Sequence, residues 1–239
     1  MTISSMNDSQ RKAARLAGFA GLFPIPFLLY ANFVINGKLI VEGDVAQTAR
    51  NIVAQETLFR IGIAFDLIYC AGLLVFLSAL YVVLKPVDRT LALVATAWRL
   101  VYALIWVRMT LNFFDALRLL SGADYLRAIE PESLQTLARV SLKAGFDQYY
   151  VGLLFWAFAA TICSYLLYKS NYIPRALAAF GMFASGWCAA CTFVFIIFPT
   201  FAKFVNLWWF DTPMALFEMA ASFWLLFKGI RSSTGILPR

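Results

Sequence analysis

Apolar residues run through this chain in long blocks parted by short polar interruptions. Six blocks, near residues 14–35, 59–84, 90–118, 148–168, 175–198 and 212–230, come up to the roughly 20 residues that a helix needs to cross about 30 Å of hydrocarbon. Their interiors decide helix against strand. A membrane strand alternates apolar and polar positions over about 10 residues, whereas LLVFLSALYVVL and TFVFIIF are apolar on every side. The pattern predicts an all-α integral membrane protein: a six-transmembrane-helix bundle over residues 14–230, between tails at 1–13 and 231–239. The first block follows MNDSQRK and is longer than the roughly 7–15 apolar residues of a signal-peptide core, so it is expected to stay as an anchor.

Composition agrees with this reading and sharpens it. Of 239 residues, 62% are hydrophobic and 14% charged, against about 45–50% and about 25% in an ordinary soluble domain. One soluble core of this size has no room for so much apolar surface. The net charge of +7 does not indicate nucleic acid, because the basic residues stand singly at the ends of apolar blocks and not together on a polar face. They report topology instead. Counted alternately, one set of loops carries Lys12, Lys85, Arg89, Lys169, Arg175, Lys228 and four further bases with only Asp8 and Asp88 as acids, while on the other side bases and acids balance. The Lys/Arg excess marks the cytoplasmic side, so both termini are expected on the cytoplasmic face of the membrane. Short surface helices are expected in the outer loops at 45–55, capped by Asp44, and at 132–143, opened by Pro131. In the second of these, Leu134, Leu137 and Ala138 share one face.

The chain has no His. Ser-His dyads, His-ligated haem and carbonic-anhydrase-like zinc are therefore excluded, and no catalytic group, metal or cofactor is expected. Cys188 and Cys191 form a CxxC, but its setting, ASGWCAACTF, is apolar and supplies no second ligand pair, so buried thiols are the reading. On the same block Ala178, Gly181, Ser185 and Ala189 make a small-residue stripe, matched by Ala14 and Gly18 on the first. Pro24 and Pro26 predict a bend in the first block.

Ionisable residues within the blocks are the candidates for function, because each costs about 2.5–3.5 kcal/mol to insert without a partner. They are Asp66, Arg99, Arg108, Asp115 and Glu218. Rising ~1.5 Å per residue from the cytoplasmic ends, Asp66 and Arg108 lie ~27 Å out, Glu218 ~18 Å and Arg99 ~14 Å. Arg99 and Arg108 fall on opposite sides of one helix, whereas Arg108 and Asp115 share a face. The economical pairing is Arg99 with Glu218, and Arg108 with Asp66 or Asp115; Glu56 and Arg60, one turn apart, form a third pair. With Tyr102 and neighbouring aromatics, these charges make a candidate ligand-binding set: Asp66, Arg99, Tyr102, Arg108 and Glu218.

Several stretches together carry a resemblance. GKLIVEGDVAQTARNIVAQETLFRIG at 37–62, IAFDL around Asp66, LKPVDRTLALVATAWRLV through Arg99, YYVGLLF, YLLYKSNYIPRAL and FEMAASFWLLFKG through Glu218 resemble, in order and spacing, the bacterial membrane-protein family called domain of unknown function 4386. The similarity covers roughly residues 14–230 and implies a six-span helical protein without an established activity. In that family a His often occupies the fourth span, where this chain has Ala159 and Ala160. From the residues themselves, the favoured function is non-catalytic: binding of a lipid or small amphipathic ligand between helices, with membrane lipids as partners. A small-molecule transporter and a structural or assembly subunit are the alternatives.

Overall fold

Proline, glycine and aspartate set the ends of the helices in the computed structural model, which describes residues 8–206 and 209–231. Every regular element among these residues is helical. Helix α1 (Asp8–Leu22) ends just before Pro24; α2 (Ile25–Leu29) leads into a π-helical segment, Tyr30–Asn36, and then α3 (Gly37–Leu39). The bend predicted at Pro24 is therefore a break in the α-helical ladder followed by a widened turn. Helix α4 (Val45–Ala54) starts where the Asp44 carboxylate accepts the Gln47 N–H at 2.7 Å, as the sequence predicts for a cap. Next come α5 (Glu56–Leu84) and α6 (Arg89–Leu120), the latter capped by Asp88, which accepts the Leu91 N–H at 3.0 Å. Helix α7 (Pro131–Ser170) is followed by a turn in which Asn171 adopts φ 58°, then by α8 (Arg175–Ile197) and α9 (Thr212–Phe227).

Two expectations change. The separate surface helix at 132–143 does not form: it and the fourth block are one unbroken α7 of 40 residues. Nothing between Lys143 and Gln148 stops a helix, since Gly145 weakens the ladder without breaking it and no proline intervenes. The last block is shorter than its expected 212–230. Pro213 stands in the first turn of α9, and Gly229 at φ 68° follows its final residues, leaving 16 residues. That is about 24 Å of helix, less than the hydrocarbon thickness. Among the described residues, five helical stretches, Asp8–Leu39, α5, α6, α7 and α8, are long and apolar enough to cross a membrane. Large apolar side chains such as Leu104, Phe183 and Phe227 lie exposed, a pattern that suits lipid as the solvent. Of the expected tails at 1–13 and 231–239, residues 1–7 and 232–239 lie outside the described residues.

By its internal contacts the chain divides into two compact units. The first comprises the residues up to Phe23, Gly72–Ala103, and the residues from Tyr150 onward. Its core gathers Ala14, Ala17, Val83, Leu84, Leu166, Ile173, Ala178 and Leu225. Here the small residues of α1 lie directly on α9: a Cβ added to Gly18 would stand 2.4 Å from the Leu226 backbone nitrogen. Gly181 on α8 is as tightly placed, with the Phe217 ring 2.4 Å from where a Cβ would be. The second unit comprises Pro24–Ala71 and Leu104–Tyr149, around a core of Ile35, Leu39, Ile52, Phe59, Ile63, Ala116, Leu117, Ala138 and Leu142.

Candidate functional site

In the first unit, Arg99 on α6 and Glu218 on α9 face each other. The guanidinium donates through Nη1 to Oε2 at 3.2 Å and through Nη2 to Oε1, the two-point geometry that matches a planar fork to a carboxylate. Arg99 is 2% exposed, and its charge also lies 5.1 Å from the centre of the Phe76 ring. Tyr102, one turn further along α6 and 1% exposed, stacks on Trp156 at 5.4 Å between ring centres. A small void of about 10 Å³ lies beside Arg99. Lined by residues including Leu77, Leu84, Ala95, Arg99 and Cys163, it has room for no more than about one water.

This unit also holds a polar pin that the sequence did not suggest. Gln10 on α1 is buried, and its amide donates to the Val83 carbonyl at 3.0 Å and to the Tyr172 hydroxyl at 2.8 Å. It ties α1 to α5 and to the turn after α7. Its only sequence signal is a polar residue one turn before the Ala14–Gly18 stripe.

The second unit places the remaining candidates. Of the two carboxylates offered to Arg108, its guanidinium reaches Asp115, at 3.7 Å, and it also donates to the Asn112 side chain. Asn112 in turn donates to Gln148 on α7 at 2.9 Å, so a polar chain links α6 to α7. Arg108 and Asp115 are about half exposed, and an ion pair in that setting contributes little. Glu56 and Arg60 pair at 2.6 Å on the surface of α5. Asp66 stands apart from all of these. It is 3% exposed, receives hydrogen bonds from Asn32 and Trp106, and makes no ion pair among the described residues. Trp106 is bracketed by Tyr69 and Tyr149, at 4.9 and 5.9 Å between ring centres. The five candidate residues are thus split, Arg99, Tyr102 and Glu218 in one unit and Asp66 and Arg108 in the other.

A second space belongs wholly to the second unit. A cleft of about 750 Å³ opens between α4, the end of α6, the turn at 122–129 and the start of α7. Ala49, Val53, Leu119, Leu120, Leu126, Ile129 and Leu134 give it apolar walls; Arg50, Arg127 and Gln135 are its polar lining. Arg50 is held by Gln47 at 2.7 Å and Arg127 by Asp124 at 2.7 Å, both in exposed positions. Such a volume lies within the range of small-molecule sites, and apolar walls with a few polar groups at the edge suit an amphipathic guest. Sequence spacing does not reveal this cleft, because its walls come from two stretches far apart in the chain, 49–54 and 119–135. The four cysteines are free and buried, and no group of three or more Cys, Asp or Glu among the described residues is placed to hold a metal.

No curated protein and no solved structure matches the chain. A family model does, over residues 16–229, which takes in both units, the Arg99–Glu218 pair, Asp66 and the cleft. By that match the chain belongs to the family described as Domain of unknown function (DUF4386).

Proposed function

We propose that this is a six-span protein of the inner (cytoplasmic) membrane, with both termini cytoplasmic, that binds a lipid or other small amphipathic ligand without transforming it. The observation that carries the reading is the cleft of about 750 Å³, apolar within and polar at its edge. The sixth span in this reading is α9, whose 16 residues reach across with the help of Lys228 and the flanking backbone. Arg99, Tyr102 and Glu218 serve this function indirectly: the Arg99–Glu218 pair holds α6 to α9, and Tyr102 holds α6 to α7 by stacking on Trp156. Membrane lipids are the natural source of the ligand, and the acid-free lining of the cleft favours a head group without positive charge.

Lipid analysis of the gently extracted protein tests the reading. Val53 is exposed in the cleft, so Val53→Trp fills the space without entering a core. The native chain should retain a stoichiometric amphiphile that Val53→Trp loses. Equal lipid content in the two proteins, each folded, would overturn the assignment.

A further inference from the structure

Asp66 is a carboxylate withdrawn from solvent that makes no ion pair among the described residues. It lies on α5 in the second unit and is 3% exposed. Asn32 and Trp106 face the carboxylate, and Oδ1 has no hydrogen-bond partner among the described residues. The basic residues of this unit that form ion pairs do so with other acids: Arg60 with Glu56, Arg108 with Asp115, and Arg127 with Asp124. Cys70, one turn along α5, is a buried neighbour.

The element that presents Asn32 is irregular. Asn32 belongs to the π-helical segment Tyr30–Asn36, and its amide also donates to the Leu28 carbonyl at 3.0 Å. Widened turns of this kind recur at functional positions, because they displace backbone and side chain from the regular ladder. A negative charge in an apolar span without a counter-charge marks a site whose positive partner comes from outside the chain.

We propose that Asp66, with Asn32 and Trp106, binds a single monovalent cation, a proton or an alkali metal ion, whose charge completes Oδ1. The two sources share one chemistry, a unit positive charge delivered to a buried carboxylate oxygen. They differ in demand: a metal ion needs further oxygens around it, and a proton does not. The Asn32 side-chain oxygen would serve as a second ligand to a metal ion.

Thermal unfolding of the purified full chain in detergent separates the outcomes. The native protein and Asp66→Asn are compared in lithium, sodium, potassium and choline chloride at equal ionic strength, and across a pH series in choline alone. The expected result is a rise of several degrees in the native midpoint, given by one metal ion or by lowered pH, that Asp66→Asn lacks. A metal-specific rise assigns an alkali ion, and a pH-specific rise assigns a proton. Identical responses of the two proteins to every salt and to pH would overturn the proposal and leave an ordered water as the partner of Oδ1. Should Asp66→Asn not fold, the native protein is treated with a hydrophobic carbodiimide, which adds to a protonated carboxyl, and Asp66 is read by mass spectrometry. Labelling slowed by one metal ion or by raised pH supports the site; absent labelling, or labelling indifferent to both, overturns it.

Discussion

Arg99 and Glu218, 119 residues apart in sequence, meet as a two-point guanidinium–carboxylate pair that fastens α6 to α9. A pair of this kind is hard to break and easy to replace. Removing one partner strands a charge in an apolar setting, whereas removing both leaves none. Glu218→Gln or Arg99→Met alone should therefore destabilise the protein by about 3–5 kcal/mol, and the double variant Arg99→Met/Glu218→Leu should recover most of that loss. Thermal unfolding in detergent checks this. Losses that simply add in the double variant would assign the two residues separate roles.

Close approach of α1 to α9 gives a sharper packing test. Gly18 has the Leu226 nitrogen 2.4 Å and the Ser222 carbonyl oxygen 2.6 Å from where a Cβ would stand, and neither backbone atom has room to yield. Gly18→Ala should cost about 1–3 kcal/mol or more despite alanine's better helix propensity. Gly37, at the start of α3, has nothing within 4 Å of the same point, and Gly37→Ala should be neutral or stabilising by about 0.5–1 kcal/mol. Folded yield and unfolding midpoint of the two variants give the comparison; equal effects would mean that α1 and α9 do not pack in this way.

Orientation is decided by cysteine accessibility. The native cysteines are buried, so they form a quiet background. Glu132 and Lys169 are exposed near opposite ends of α7. With both termini cytoplasmic, a membrane-impermeant maleimide should label Glu132→Cys in intact cells and reach Lys169→Cys only after lysis. The reverse pattern would invert the protein.

Most of the fold was legible because hydrocarbon leaves few options. Apolar length marked α5, α6 and α8 to within a few residues, and Asp44 and Pro131 marked two helix starts correctly. The errors arose where no local signal distinguishes the outcomes. The composition of α7 changes from polar to apolar at about Gln148, which looks like a boundary, yet helix propensity continues across it. In α9 the expected block runs on to Ile230, whereas the helix stops at Phe227, before Lys228 and the turn at Gly229. The depth argument brought Arg99 to Glu218 because both are charged and both lie in apolar blocks; the cleft had no such marker. Arg50 and Arg127 read as ordinary loop bases until folding brings them to one opening.

The central claim is that an amphiphile occupies the cleft between α4, the end of α6 and the start of α7. Photo-crosslinking measures this directly, with a diazirine-bearing amphiphile added to the protein in membranes and the adducts located by mass spectrometry. Adducts concentrated on Val53, Leu120, Leu126 and Leu134, and competed by the unlabelled amphiphile, are the predicted result. Adducts spread over outward-facing residues such as Leu104, Phe183 and Phe227, without competition and without enrichment in the cleft, would contradict it.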